Sequence, residues 1–414
     1  MPSQPEIDRD ALIYDWNPEG AAPASRPVEL DDETLRDGIQ GPSVTDPSIE
    51  EKKELLVLMD ALGIDTADVG LPGAGPRAVE DVTALVSFLR DSKLRLKPNC
   101  AARTMIRDVE PIARITQKTG VPIEACLFIG SSPIRQYSED WTLDTLLKHT
   151  RESVTFAVSE GLPVMYVTED TTRAHPDALR ALYTEAIECG ARRVCVCDTV
   201  GHILPEGVDR LVRFVRGLVE SAGAPVKLDW HGHRDRGLAV VNTLAAIRAG
   251  ADRVHGCALG VGERAGNTPI DLVLVNLKLL GWIDRDLTRL REYCEKAAQA
   301  LRITIPRNYP VIGSDAFETG TGVHAAALIK AFRKGDRWLA DRVYSGVPAE
   351  DFGMKQRIRI GPMSGRSNVT FWLEEHGMEP HPAVVERIFT AAKQSNRLLD
   401  DQEIAALARG EDES

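Results

Sequence analysis

The chain contains the stretch Asp229-Trp230-His231-Gly232-His233-Arg234-Asp235, which directly follows Val226-Lys227-Leu228, a short run that is apolar except for Lys227. Side chains two positions apart on a strand point to the same side. His231 and His233 are therefore predicted to direct two imidazoles at one point, as neutral histidines do when they bind a metal ion. The alternative interpretation is a pair of structural histidines near a strand end.

Short apolar runs alternate with amphipathic stretches around this pair, which is typical of a parallel sheet whose strands are joined by helices. The eight candidate strands cover residues 28–31, 66–70, 94–100, 123–129, 164–168, 193–197, 226–230 and 253–257. The clearest helical spacings cover residues 50–62, 146–159, 176–189 and 238–249. Eight strands in roughly 255 residues predict an α/β fold, a (β/α)8 TIM barrel. A doubly wound open sheet is the alternative.

The alternation of strands and helices stops after Trp282. We therefore predict an N-terminal arm over residues 1–25, a TIM barrel over residues 26–285 and a mostly helical C-terminal subdomain over residues 286–414. Helical spacing within the subdomain predicts helices over residues 287–301 and 324–332.

Composition excludes several classes of function. The net charge is −12 and no basic block occurs, which argues against a nucleic-acid partner. No apolar run reaches about 18 residues, so no membrane span is predicted. Seven scattered cysteines, of which Cys195 and Cys197 alternate in an apolar run, indicate buried free thiols. The polar N-terminus has no apolar signal segment, and we predict a reduced, cytoplasmic setting.

Polar segments follow five of the predicted strands at their carboxyl ends, which is where TIM barrels carry their chemistry. These segments are residues 33–40, 169–173, 198–201, 231–233 and 260–267. A single polar loop would be ordinary, but five at one predicted end of a barrel indicate a functional site.

Seven motifs in this order identify a resemblance. They are LRDGIQ at residues 35–40, EDTTR at 169–173, DTVG at 198–201, HGH at 231–233, GERAGN at 262–267, TGTGVHAAAL at 319–328 and IGPMSGRSNV at 360–369. They resemble the acyl-CoA-condensing, metal-dependent TIM-barrel enzymes of the 2-isopropylmalate synthase and homocitrate synthase family. The resemblance covers the barrel and continues into the C-terminal subdomain.

The resemblance implies one divalent metal ion per subunit, bound by Asp37, His231, His233 and Asn267. This mixed nitrogen and oxygen set suits Zn, Mn, Co or Mg without choosing among them. The metal is expected to hold the carboxylate and ketone of a 2-oxo acid and to act as a Lewis acid on the carbonyl.

The second substrate implied by the resemblance is acetyl-CoA, which adds to the ketone in a Claisen-type condensation before its thioester is hydrolysed. Glu169, His324 and Tyr344 match the acid–base positions of the family. In this family the C-terminal subdomain of one subunit covers the barrel of the other. A homodimer with a swapped C-terminal subdomain is therefore implied. On residue type alone, His324 could equally be a surface histidine at a helix start.

Several other positions carry an expected role. Arg36 is expected to stabilise the alkoxide formed when the ketone is attacked, although a salt bridge with a neighbouring acid within residues 31–33 is the alternative. Gln40 and Thr199 match substrate-contacting positions, and Thr199 could instead cap the following helix. Gly260 and Gly262 resemble the glycine-rich stretch near the CoA site, but a tight turn after a strand also needs glycine.

The choice of 2-oxo acid is the least determined point. Arg135 could pair with the distal carboxylate of 2-oxoglutarate, as in homocitrate synthases, or lie on the surface. Many relatives carry an acid at the position of Ile39 and Asn at that of Arg234, and both differences could favour a more anionic substrate. The motifs favour 2-isopropylmalate synthase acting on 2-oxoisovalerate. Homocitrate, citramalate or another 2-alkylmalate synthase is the alternative.

Three competing classes remain. A metal-dependent aldolase or lyase of the same barrel superfamily would lack the two motifs of the C-terminal subdomain. A non-catalytic relative would have lost a metal ligand or His324. An unrelated phosphate-binding barrel would carry a glycine-rich phosphate loop and no metal pair. Leucine-pathway enzymes usually carry a further leucine-binding regulatory domain, which we do not expect here because no second α/β segment precedes Ser414.

Overall fold

Eight parallel strands pair in chain order, and the last pairs with the first to close a barrel. This computed structural model describes residues 8–17 and 27–410. The strands are β1 Glu29–Asp32, β2 Thr66–Asp68, β3 Lys97–Arg103, β4 Glu124–Gly130, β5 Val164–Glu169, β6 Arg193–Asp198, β7 Lys227–Gly232 and β8 Arg253–Gly256. The predicted TIM barrel is confirmed, and the alternative of an open sheet is wrong.

Nine helices among the described residues surround the barrel or extend its strand ends. They are α1 Ile49–Ala61, α2 Pro76–Asp91, α3 Ile106–Thr119, α4 Pro133–Glu139, α5 Leu143–Ser159, α6 Pro176–Glu188, α7 Pro205–Ser221, α8 Ala239–Ala249 and α9 Ile270–Leu279. Local signals set their ends. Ser48 and Glu51 form a reciprocal capping box at the start of α1. The side chain of Thr142 caps α5, which therefore begins three residues before the prediction.

Two stretches differ from the sequence-based expectation. The third strand was predicted over residues 94–100 but runs from Lys97 to Arg103. The backbone N–H groups of Arg95 and Leu96 donate to Asp60 Oδ1. These hydrogen bonds hold the segment in a loop conformation, and the strand begins after it at Lys97. No helix is predicted after the fourth strand, but Ser132 caps the segment that follows β4, and α4 forms there.

Ion pairs fill the amino-terminal half of the barrel interior. Asp229 Oδ1 accepts from Arg193 Nη1 at 2.6 Å, and its Oδ2 accepts from Arg253 Nε at 2.6 Å. Arg253 Nη2 also donates to Glu124 Oε2 at 2.6 Å, and His255 Nε2 lies 2.9 Å from Asp229 Oδ2. Asp229 and Arg253 are fully buried, so each charge depends on its partners for stability.

The chain after the barrel is mostly helical. Its elements are α10 Leu290–Leu301, β9 Glu318–Thr319, α11 Gly322–Arg333, α12 Arg337–Arg342, β10 Arg357–Ile358, α13 Arg366–Glu375, α14 Pro382–Gln394 and α15 Asp401–Arg409. Helix α10 packs into the barrel core, and Tyr293 donates to Asp32. Helices α11 and α13–α15 build two separate apolar clusters.

The segment boundaries at residues 25 and 285 stay predictions. Residues 1–7 and 18–26 of the predicted arm, and residues 411–414, lie outside the described residues. Within the described ranges, every helix is too short or too polar to cross a bilayer.

Candidate active site

Four residues predicted to bind metal meet at the carboxyl end of the barrel. Ligand atoms of Asp37, His231 and His233 all lie within 4.8 Å of one another, and all three residues are buried. His231 is on β7, and the backbone of His233, just beyond it, bridges to that of Asn267. Asn267 Nδ2 donates to Asp37 Oδ1 at 2.7 Å. Residues separated by 230 positions are thus joined directly.

The atoms of this cluster fit a divalent cation. Asn267 Oδ1 and His233 Nδ1 are buried and have no hydrogen-bond partner. Buried polar atoms are nearly always paired, so two orphaned ligand atoms beside a carboxylate indicate that a further group belongs there. Two imidazoles, a carboxylate and an amide oxygen form a donor set that Zn²⁺ and similar ions accept.

Glu33 connects the cluster to the barrel interior. Its Oε2 lies 2.7 Å from His231 Nδ1, and its Oε1 lies 3.1 Å from His255 Nδ1. Burial alone would raise the pKa of Glu33, but His231, His255 and Arg36 hold that pKa well below its usual range. The carboxylate faces Nδ1 of His231, which leaves Nε2 as the nitrogen available to a ligand.

Three carboxylates fix the guanidinium of Arg36. Nε donates to Asp68 Oδ2 at 2.6 Å, Nη1 donates to Asp37 Oδ2 at 2.7 Å, and Nη2 donates to Glu33 Oε1 at 3.2 Å. The salt bridge considered as the alternative role of Arg36 therefore forms, with Glu33 as its partner. The sequence did not indicate the contact with Asp68. Burial raises the pKa of Asp68 to about 7, although Arg36 acts to lower it.

A cavity of about 690 Å³ opens above this cluster. Its polar lining is Glu33, Arg36, Asp37, Gln40, Glu169, Thr199, His231, His233, His255, Glu263 and Arg264. The remainder, which we call the apolar wall, is Leu71, Ala101, Cys126, Phe128, Met165, Val167, Cys195 and Cys197. Gln40, Glu169 and Thr199, which were predicted as site residues, line this cavity. The sequence analysis did not identify His255 as a cavity residue. Its position on β8, two residues after the buried Arg253, places it on the inward-facing side of the strand, and this spacing was the available indication.

Comparison with known proteins identifies the family. The profile of the HMGL-like family matches residues 27–295. The chain belongs to the HMGL-like family. The "Probable 2-isopropylmalate synthase" of Methanopyrus kandleri is 32% identical over 370 residues, which cover 89% of this chain and 69% of that protein. The homocitrate synthase of the same organism is 32% identical over 379 residues, 89% of each chain.

Two further comparisons extend this result. The (R)-citramalate synthase of Methanocaldococcus jannaschii is 28% identical over 390 residues, which cover 92% of this chain and 74% of that protein. The HMG-CoA lyase of Brucella melitensis superposes with a TM-score of 0.55 at 17% identity, covering 67% of this chain and all of that one. This last similarity shows the fold alone. The family resemblance seen in the sequence is confirmed, and its relatives are synthases of three different products.

Two of the expected polar residues of this HMGL-like chain have partners that the sequence did not indicate. Thr199 Oγ1 accepts from the backbone N–H of Asp170 at 2.8 Å and caps no helix. Glu169 Oε1 lies 3.0 Å from Arg135 Nε. Burial raises the pKa of Glu169 despite this cation. Arg135 also donates to Glu139 at 3.2 Å and is outside the cavity lining.

The structure places His324 and Tyr344 together but away from the cavity of their own chain. Their rings stack with centroids 4.2 Å apart. His324 is exposed, Tyr344 is 49% exposed, and neither lines the cavity. Val323 precedes His324, the backbone oxygen of Met363 accepts from Gly322 N at 3.0 Å, and these two apolar side chains are 74% and 72% exposed. Together these four residues form an exposed patch on the C-terminal subdomain, which we call the His324 patch.

The glycines after β8 allow the chain to pack closely around Asn267. Gly262 has φ +145°, and a Cβ there would collide with Asn267 Nδ2. A Cβ on Gly260 would lie 2.8 Å from Arg234 Nη1 and 2.9 Å from Asn267 O. Arg234 Nε donates to Ala265 O at 2.6 Å, so this arginine supports the loop. Arg234 is outside the cavity lining, and so is Ile39, the other position that departs from the family pattern.

Proposed function

We propose that this chain condenses acetyl-CoA with a 2-oxo acid to give a 2-alkylmalate and free CoA. We further propose that it prefers 2-oxoisovalerate, which makes it a 2-isopropylmalate synthase of leucine biosynthesis. The observation that carries this proposal is a single cavity that combines donor atoms fitted to a divalent cation with an apolar wall. The names of the relatives support the reaction class.

The apolar wall supports the choice of a branched 2-oxo acid. A dicarboxylic acid such as 2-oxoglutarate would place a second carboxylate against side chains that carry no charge, which is costly without a buried partner. Arg135, the cation expected for that role, is engaged by Glu169 and Glu139. Arg264 lies at the polar rim and is bound to Asp235 at 2.8 Å. Burial of an aliphatic side chain, by contrast, stabilises the complex.

One divalent ion per subunit, Zn, Mn, Co or Mg, would be held by Asp37, His231, His233 and Asn267. A cation bound there would orient the carboxylate and ketone of the 2-oxo acid and polarise its carbonyl. Arg36 lines the same cavity with its guanidinium fixed by three carboxylates. It therefore supplies a preorganised positive charge for the alkoxide that develops on the ketone oxygen.

The condensation also requires proton transfers. A base removes a proton from the methyl group of acetyl-CoA, the resulting carbon bonds to the ketone carbon, and water then cleaves the thioester to release CoA. We assign the proton transfers to Glu169, His324 and Tyr344. Burial raises the pKa of Glu169 toward neutral pH, which suits a group that must gain and lose a proton. Gln40 and Thr199 would contact the substrate, and Gly260 and Gly262 lie near the expected CoA site.

We propose that the acid–base pair in the C-terminal subdomain acts on a second subunit. The His324 patch is exposed, and it does not line the cavity of its own chain. A homodimer with swapped C-terminal subdomains would bring each patch to the partner's cavity. It would also bury Val323 and Met363, which offers a reason for two large apolar side chains in solvent.

The reaction is tested by measuring free CoA released from acetyl-CoA in a panel of 2-oxo acids with and without a divalent metal. We expect release that requires both, with 2-oxoisovalerate ahead of pyruvate and 2-oxoglutarate. A preference for 2-oxoglutarate would instead establish homocitrate synthase. No thiol release with any 2-oxo acid would refute the condensation. His231→Ala is expected to lose metal, whereas His175→Asn, at an exposed helix start, is expected to keep metal and activity.

The swapped dimer is tested by mixing two inactive variants. His231→Ala removes a metal ligand from the barrel, and His324→Ala removes the acid–base histidine from the subdomain. A hybrid dimer would contain one intact site, so random exchange of subunits should restore about a quarter of wild-type activity. If the mixture stays inactive although mass spectrometry shows hybrid dimers, the two residues act within one chain. If His324→Ala alone keeps full activity, His324 has no catalytic role.

A further inference from the structure

The apolar wall contains two thiols side by side. Cys195 and Cys197 are two residues apart on β6, so both side chains point into the barrel. Their Sγ atoms are 3.8 Å apart, and both residues line the cavity. Both are free thiols. Cys126 and Met165 belong to the same cluster of buried residues, which makes this part of the wall rich in sulfur.

The separation of the two Sγ atoms suits a single bridging atom. Two sulfur ligands on one tetrahedral centre, with bonds of about 2.3 Å as in zinc–thiolate sites, lie about 3.8 Å apart. The narrower bond angle at a pyramidal centre brings the two sulfurs a few tenths of an ångström closer, which rotation of the two side chains can supply. The pair therefore needs no movement of β6 to bind one thiophilic centre. The described residues place no third ligand atom of the His, Cys, Asp or Glu type close enough to complete a three-ligand metal site with these two thiols. A centre that is satisfied by two thiols is the better match.

We propose that Cys195 and Cys197 form a binding site for trivalent arsenicals, such as arsenite and mono-organoarsenic(III) compounds, inside the cavity. With phenylarsine oxide, two S–H bonds break and two As–S bonds form. The oxide oxygen takes both protons and leaves as water. Arsenic stays trivalent, and no oxidant or reductant takes part. The product is a ring that contains both sulfurs and fills space next to the polar lining.

The surroundings of the pair favour this chemistry over simple alkylation or oxidation. Burial raises the pKa of the Cys195 thiol well above its usual range, so reagents that need a thiolate react slowly there. Because the two thiols are held close together, the second thiol is present at a high effective concentration around the arsenic once the first As–S bond has formed. Cys197 is 4% exposed and Cys195 is fully buried, so a reagent that enters the cavity reaches Cys197 first and closes onto Cys195.

Native mass spectrometry of the full chain with phenylarsine oxide tests the proposal. We expect one arsenical per chain and the loss of two titratable thiols, with release by 1,2-ethanedithiol but not by an equal concentration of 2-mercaptoethanol. Cys197→Ser should release the arsenical at least about 100-fold more readily, because only one As–S bond remains. Cys189→Ser, at the end of α6 and outside the cavity lining, should behave as the wild type.

Two results would overturn the proposal. One is a wild-type adduct that 2-mercaptoethanol removes as easily as the dithiol does. The other is a resistant adduct that persists in Cys197→Ser. Cys195→Ala provides a second variant in case Cys197→Ser folds poorly, and far-UV circular dichroism of each variant verifies that the barrel is intact.

Discussion

Glu33 is the residue whose substitution most directly tests how the cluster of Asp37, His231 and His233, which we propose binds metal, is held. Its Oε2 lies 2.7 Å from His231 Nδ1, and its Oε1 contacts His255 Nδ1 at 3.1 Å and Arg36 Nη2 at 3.2 Å. Glu33→Gln preserves the size of the side chain but removes the charge. The amide cannot hold both imidazoles in the same orientation, because one of its two ends is a donor and faces an N–H or a cation.

The expected effect is on metal affinity. Groups that orient a ligating histidine through its second nitrogen typically change metal affinity by about 10- to 100-fold. This range corresponds to about 1.4–2.7 kcal/mol. Because Glu33 contacts two histidines and Arg36 at once, we expect a loss near the upper end of this range. Isothermal titration of the metal-stripped protein with Mn²⁺ or Zn²⁺ measures it directly.

Glu263→Gln is the matched control. Glu263 also lines the cavity, but its side chain is 59% exposed, and its ion-pair contact is with Arg264 at 3.8 Å. Its removal should change metal affinity by less than about threefold, as expected for an exposed charge. If Glu33→Gln, with an unchanged circular dichroism spectrum, binds metal as tightly as Glu263→Gln, the carboxylate does not orient His231 and our account of the cluster is wrong.

Two further predictions concern stability. Arg253→Met should lower the free energy of unfolding by about 3 kcal/mol, because Asp229 loses one of its buried cations; Arg291→Met, at a half-exposed pair, should cost less than about 0.5 kcal/mol in the same urea titrations. Burial raises the pKa of Asp271 to about 6, although Tyr309 donates to it. The folded state thus retains a proton that the unfolded state releases, and stability should fall by about 3 kcal/mol as the pH rises from about 3 to about 7. Asp271→Asn should flatten this slope, and an unchanged slope would contradict the assignment.

The barrel was predictable because its signal is local and repeated. Each strand is a short apolar run, and each helix shows its own spacing, so errors at one element do not affect the others. The shift of β3 shows the limit of this approach. Leu94 and Leu96 are as apolar as strand residues, but hydrogen bonds from this segment to Asp60, 36 positions before Leu96, decide where the strand begins.

The site was only partly predictable. The spacing of His231 and His233 on one strand is a local pattern, and Asp37 and Asn267 followed from the family motifs. Glu33 and His255 could not be identified as a unit, because 222 residues separate them and only closure of the barrel brings β1 beside β8. A polar residue on a strand normally indicates a solvent-facing side, whereas here that side is the interior of a closed barrel.

The ion pairs in this interior lie on the same strands as the candidate metal ligands. Asp229 and His231 are two residues apart on β7 and point to the same side, and Asp229 is held by Arg193 and Arg253. Buried ion pairs contribute little net stability compared with apolar packing, but they fix geometry where breaking one is costly. We therefore infer that the lower ion pairs hold β7 in the register that presents His231. Metal titration of Arg253→Met decides this point. A weakened metal affinity in the folded variant supports the positional role, whereas an unchanged affinity would mean that these ion pairs affect only the stability of the fold.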